Sequence, residues 1–175
     1  MTDSMPQLTL VLGGARSGKS RYAESLIAAL PQPWIYVATA EARDAEMAER
    51  IALHRSRRGE NWQTVEAPHN LSAALAAVPA DTPVLIDCLT VWLSNCMLAG
   101  ADVATEIAHL QAALDSRRAP VVLVSNEVGS GIIPDNVLAR RFCDLQGSLN
   151  QWIAARADRV VLMVAGLPVV VKDTK

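Results

Sequence analysis

Leu8-Thr9-Leu10-Val11-Leu12-Gly13-Gly14-Ala15-Arg16-Ser17-Gly18-Lys19-Ser20 is the stretch from which the architecture follows. Leu8 to Leu12 is a short apolar run of the kind a buried parallel strand shows. Residues 13–20 match G-x-x-x-x-G-K-[ST], and a helical pattern runs from Ser20 to Leu30, where Pro31 stops it. A glycine-rich turn between strand and helix lets successive backbone N–H groups point into one concavity and hold phosphate oxygens. The helix N-terminus adds its partial positive charge. In such a loop Lys19 reaches the β- and γ-phosphates, and the Ser20 hydroxyl ligates Mg²⁺.

Working outward, apolar runs of strand length alternate with helical periodicities. Trp34 to Ala38, Gln63 to Glu66, Val84 to Asp87, Val121 to Ser125 and Val160 to Val164 read as strands. Ala42 to Arg58 reads as a helix with Met47, Ile51 and His54 along one side. Leu71, Leu75 and Val78 give a short helix with Asn70 as its cap, and Thr90 to Leu98 another. Val103, Ile107, Leu110 and Leu114 form an amphipathic stripe, and Leu138 to Trp152 a long one. Gly166-Leu167-Pro168 turns the chain into Val169 to Val171, an antiparallel edge. The pattern predicts a single-domain, three-layer α/β fold over residues 1–175 with a mainly parallel sheet, preceded by a flexible tail at 1–7.

The 175 residues are 51% hydrophobic and 19% charged, so disorder is excluded. With 16 basic and 18 acidic side chains, the net charge of −2 offers no global field for nucleic acid or an anionic membrane. Polyanions must be held locally. Cys88, Cys96 and Cys143 form no C-x-x-C pair, which argues against zinc or a disulfide scaffold. No stretch reaches bilayer-spanning length and no leader pattern precedes Leu8. The expectation is a cytoplasmic protein without stable membrane insertion.

Asp87 ends an apolar strand at the edge where parallel sheets bind ligands, so beside the glycine loop it is a candidate for Mg²⁺; the alternative is a helix cap for the segment near Leu89. His54 is flanked by Arg50, Arg55, Arg57 and Arg58. Four guanidinium groups make an anion site and disfavour the imidazolium, leaving a neutral imidazole competent to attack phosphorus. The alternative is a solvated basic helix end. Asn126-Glu127, after another strand, offers groups to orient a substrate hydroxyl or a water, or is only a polar glycine loop. Glu66 ends a strand and can accept from a base or a ribose. Trp62, Trp92 and Trp152 read as core or interface residues, His69 and His109 as surface.

Residues 13–20 with Arg21, His54-Arg55 before Trp62, Asp87-Cys88-Leu89-Thr90 with Trp92-Leu93 and Asn95, and Asn126-Glu127-Val128-Gly129 resemble the bifunctional adenosylcobinamide kinase / adenosylcobinamide-phosphate guanylyltransferase family of cobalamin biosynthesis. Pro134, Ala139-Arg140, Phe142, Asp144, Gly147, Asn150-Gln151, Ala157-Asp158 and Ala165-Gly166 extend the match from about Leu8 to Lys172. Cys143 departs from it, standing where the family often has a basic residue.

The resemblance implies a RecA-like P-loop fold and a homotrimer. It implies phosphorylation of adenosylcobinamide by ATP or GTP, then transfer of GMP from GTP to adenosylcobinamide phosphate through a guanylylated His54. It places nucleotide contacts on Gly13, Gly14, Ala15, Arg16, Ser17, Gly18, Lys19 and Ser20, on Thr39, Ala40 and Glu41, on Arg55, Ser56, Arg57 and Arg58, and on Glu66 and Asp87. Ser20 and Asp87 are the expected Mg²⁺ donors. Two alternatives remain open: a P-loop small-molecule kinase without guanylyl transfer, and a nucleotide-dependent RecA-like switch.

Overall fold

The computed structural model describes residues 5–174, apart from the side chains of Arg50, His54 and Arg57. In chain order the elements are β1 (Leu8–Gly13), α1 (Lys19–Ala28), β2 (Trp34–Ala38), α2 (Ala45–Arg57), β3 (Trp62–Glu66), α3 (Leu71–Ala77) and β4 (Val84–Asp87). Then come α4 (Leu89–Leu98), α5 (Val103–Asp115), β5 (Val121–Asn126), α6 (Val137–Arg156), β6 (Arg159–Val164) and β7 (Leu167–Asp173). The strands form one sheet in the order β3-β2-β4-β5-β1-β6-β7. All pairs are parallel except β6–β7, the expected antiparallel edge.

Strand periodicity sorts the core into two layers. Leu10, Ile35, Val37, Val84, Ile86, Val121 and Leu123 face one way, under α3 to α6. Val11, Tyr36, Leu85, Val122 and Val124 face the other way, where α1 supplies Ala23 and Ile27. Both faces are therefore covered, which is why the central strands read as continuous apolar runs rather than alternating ones. Among the described residues α2 adds nothing to either layer; its Met47 and Ile51 border a cavity instead.

Local differences from the sequence expectations have physical reasons. The second helix begins at Ala45 rather than Ala42, because Asp44 caps it by accepting from the Met47 amide at 2.7 Å. Asn70 sits at the N-cap of α3 but makes no side-chain cap hydrogen bond. Residues 5–7, expected within the tail, are tied down. Pro6 is buried, Met5 packs against the α1 layer, and Gln7 Nε2 donates to the carbonyls of Arg117 (3.2 Å) and Ala119 (2.9 Å). No helix of the described residues is long and apolar enough to cross a membrane.

Candidate active site

The glycine loop leaves β1 and enters α1 at the sheet's carboxyl edge. Gly13 is required there: a Cβ would stand 2.6 Å from Ser17 Oγ and 2.8 Å from the Met163 carbonyl. Gly18, the N-cap of α1, has φ of 93°, the left-handed region that glycine adopts freely. No side chain caps α1 and its first turn carries no acid, so its leading amides keep their capacity for an anion. Lys19 Nζ donates to the Gly14 carbonyl at 2.5 Å and lies 3.5 Å from Ser17 Oγ. Burial lowers its pKa from the usual lysine value, against the opposing pull of Cys88 and Asp87.

Asp87 faces the same space from the end of β4. The N-cap of α4 is Cys88, with no side-chain cap bond, so the alternative of Asp87 as helix cap is not realised. Instead Asp87 Oδ2 accepts from the Tyr36 phenol at 3.0 Å. Burial, then the Asp87 charge, hold that phenol protonated, well above the usual tyrosine range. The Arg58 guanidinium lies 3.5 Å over the Tyr36 ring, and its Nη1 is 3.9 Å from Glu24 of α1. Neighbouring Cys88 is no competing nucleophile: burial and the Asp87 charge push its thiol up to about 12.

A cavity of about 660 Å³ opens between these groups and α2. It brings together Ala15, Arg16, Lys19, Ser20, Ala40, Glu41, Arg55, Arg58, Glu66 and Asp87 of the expected site residues. Asn126 joins them; Glu127 does not, its carboxylate accepting instead from the Gly129 amide at 2.7 Å. Gly13, Gly14, Ser17 and Gly18 shape the loop behind the lining. Thr39 is fully buried, its hydroxyl bridging the Cys88 carbonyl and amide at 2.8 Å each. Ser56 donates to the Leu53 carbonyl. His54 and Arg57, with Arg50, have side chains outside the described residues. Arg55 is paired with Glu66, so the two described arginines of the expected anion site are already engaged.

The loops around the mouth are held by α4, a role the sequence does not announce. Asn95, 3% exposed, donates to the carbonyls of Thr39 and Pro68 at 2.9 Å each and accepts from Arg43 at 3.0 Å. Trp92 Nε1 donates to the His69 carbonyl. Arg43 in turn hydrogen-bonds to Glu41, and with His69 3.5 Å away it holds that carboxyl below the usual glutamate range. Tyr36 was equally hidden, since a tyrosine inside WIYVA reads as core; its one signal is a polar tip that burial obliges to find a partner.

The family described as cobinamide kinase / cobinamide phosphate guanyltransferase matches residues 9–171, nearly the whole chain. The chain belongs to this family. It is 46% identical over 166 residues to the bifunctional adenosylcobalamin biosynthesis protein CobP of Pseudomonas aeruginosa, covering 93% of this chain and 96% of that protein. It is 42% identical over 181 residues to the bifunctional adenosylcobalamin biosynthesis protein CobU of Salmonella typhimurium, covering 94% and 99%. Among solved structures, an ATPase from a type III secretion system of pathogenic bacteria shares the fold at TM-score 0.55 and 13% identity; the match takes in 94% of this chain and 56% of the ATPase.

For a cobinamide kinase / guanyltransferase the donor chemistry around Lys19 suits Mg²⁺. Ser20 and Asp87 supply one hydroxyl and one carboxylate to the same cavity. Among the described residues no group of three or more His, Cys, Asp or Glu forms a protein cage. Mg²⁺ keeps several waters and takes substrate phosphates as ligands, so two hard oxygen donors fit it better than a cage would.

Proposed function

We propose that this chain phosphorylates the hydroxyl of adenosylcobinamide with ATP or GTP, then transfers GMP from GTP onto that phosphate to give adenosylcobinamide-GDP and pyrophosphate. The observation that carries this reading is one cavity shared by both sets of groups. Its floor presents Lys19, Ser20 and Asp87, and its wall presents Met47, Ile51, Arg55 and Arg58 of the helix that contains His54. Ile51, three positions before His54, and Arg58, four positions after it, both line that wall.

In the kinase step the loop amides and Lys19 take up charge as the γ-phosphoryl group leaves its nucleotide. Ser20 and Asp87 would hold Mg²⁺, which would supply positive charge to offset that of the phosphates. In the second step the neutral His54 imidazole attacks the α-phosphorus of GTP and pyrophosphate departs. A phosphate oxygen of the phosphorylated substrate then displaces the histidine, so one difficult substitution becomes two with good leaving groups. Arg16, Glu41 and Glu66 line the cavity where the nucleotide would lie. The exposed apolar edge of Leu167, Val169, Val170 and Val171 supports assembly between copies, which the family resemblance implies is a homotrimer.

The test is product analysis with adenosylcobinamide, Mg²⁺ and nucleotides. ATP or GTP should give adenosylcobinamide phosphate and GTP the GDP ester, while His54→Ala should stop at the phosphate. A P-loop kinase alone would stop there in the wild type; a switch protein would leave the corrinoid unchanged.

A further inference from the structure

β5 runs between the strand that feeds the glycine loop and the strand that ends on Asp87. Its last residue, Asn126, pairs with Gly13 and lies two residues beyond Val124, which pairs with Asp87. The topology thus sets Asn126 between the loop that holds phosphates and the candidate metal carboxylate. Its backbone is pinned on both sides: the amide donates to Thr90 Oγ1 at 2.7 Å, and the carbonyl accepts from Asn150 Nδ2 at 3.0 Å. Ser125 Oγ donates to Asn150 Oδ1 at 2.7 Å, and Gln146 Nε2 reaches both at 2.9 Å.

Ser125, Gln146 and Asn150 are almost wholly buried. Burying that many polar groups is costly, the more so because Gln146 Oε1 is buried with no hydrogen-bond partner among the described residues, and apolar side chains would fill the space more cheaply. What the network delivers is a fixed position for one residue. Asn126 lines the same cavity as Lys19 and Asp87, and its own carboxamide has no hydrogen-bond partner among the described residues.

We propose that the Asn126 carboxamide is a catalytic group of the phosphoryl-transfer step, aimed by Thr90 and Asn150 as positioning residues. The inference rests on the kinase half of the proposed function. The amide N–H donates to an oxygen of the γ-phosphoryl group, and the amide oxygen accepts from the hydroxyl that attacks it. As the new O–P bond forms, the bond from phosphorus to the bridging oxygen breaks and its electron pair leaves with the nucleoside diphosphate. The hydroxyl proton is released to water; Asn126 orients it without taking it. Guanylyl transfer occurs at the α-phosphorus, so the loss should fall chiefly on the kinase step.

The experiment measures kinase kcat on adenosylcobinamide with ATP or GTP as donor, and covalent GMP incorporation from GTP alone. Asn126→Ala should lower kinase kcat by about 100-fold, the typical loss for one donor in a transition-state oxygen site, and lower GMP incorporation by a much smaller factor. Asn126→Asp, nearly isosteric, keeps an acceptor but loses the donor and adds negative charge beside phosphate, so it should fall at least as far; it also carries the test if the alanine variant does not fold. Thr90→Val should lower kcat in the wild type and have no further effect in the Asn126→Ala background. Normal kcat in Asn126→Ala, recovery in Asn126→Asp, or an equal Thr90→Val loss in both backgrounds overturns the assignment. A wild-type protein that leaves adenosylcobinamide unphosphorylated overturns the kinase reading itself, and this assignment with it.

Discussion

Tyr36→Phe isolates one hydrogen bond of the site. The ring is 4% exposed, stacked under Arg58 at 3.5 Å and edge-on to Trp62 with centroids 6.2 Å apart. Phenylalanine keeps that packing and opens no cavity; the variant loses only the 3.0 Å bond to Asp87 Oδ2. A buried hydrogen bond to a carboxylate contributes about 1.5–3 kcal/mol. At roughly 2–4 °C per kcal/mol for a domain of this size, the melting temperature should fall by about 3–12 °C. Tyr36→Leu should lose more, since it also gives up the cation–π contact, about 0.5–2 kcal/mol. Because the phenol stays protonated through the neutral range, the loss should not vary with pH there. Asp87 freed from its donor should also need several-fold more Mg²⁺ for half-maximal activity. Urea unfolding and Mg²⁺ titration of the kinase reaction measure both. A Phe variant within about 0.5 kcal/mol of wild type, with a superimposable Mg²⁺ curve, refutes the role given to this bond.

Lys19→Ala should abolish both activities while keeping the fold. It should be at least as stable as wild type at neutral pH, because burial of the ammonium works against folding there. With the folded pKa below the unfolded one, wild type gains stability as pH rises through the lowered pKa toward 10.5, so the gap should close in alkaline urea titrations. Asp87→Asn should flatten the Mg²⁺ dependence of both steps, whereas unchanged curves would remove Asp87 from the metal site. Arg117→Ala should cost about 3–5 kcal/mol in urea unfolding, since that buried guanidinium donates to the carbonyls of Val78, Pro79 and Thr82 at the end of α3.

The strands and the phosphate loop were legible because local rules determine them. Short apolar runs, punctuated by glycine, proline and acids, fall where β1, β2, β4, β5 and β6 lie, and the loop's glycines stand out as a motif by their spacing alone. Asp87 was legible for the same reason, as a charge closing an apolar run at a sheet edge. Arg58 was not: its place among four arginines suggests a free anion site, while its engagement depends on Tyr36 and Glu24, residues 22 and 34 positions upstream. Nor does the sequence show that the Thr39 hydroxyl ties the end of β2 to the Cys88 backbone. The Asn126 network joins three elements up to 60 residues apart, and spacing within one element carries no trace of such partners. Residues 1–4 of the expected tail lie outside the described residues, while Gln7 is fastened by carbonyls 110 and 112 residues away, which no local pattern could show.

The reading of His54 as the guanylyl carrier stands or falls on intact-protein mass after incubation with GTP and Mg²⁺ and no corrinoid. One GMP moiety should be added per chain, map to the peptide containing His54, survive alkali, and be lost in acid as a phosphorus–nitrogen bond is. No adduct in the wild type, an adduct on Lys19 or His69, or one that persists in His54→Ala would contradict it.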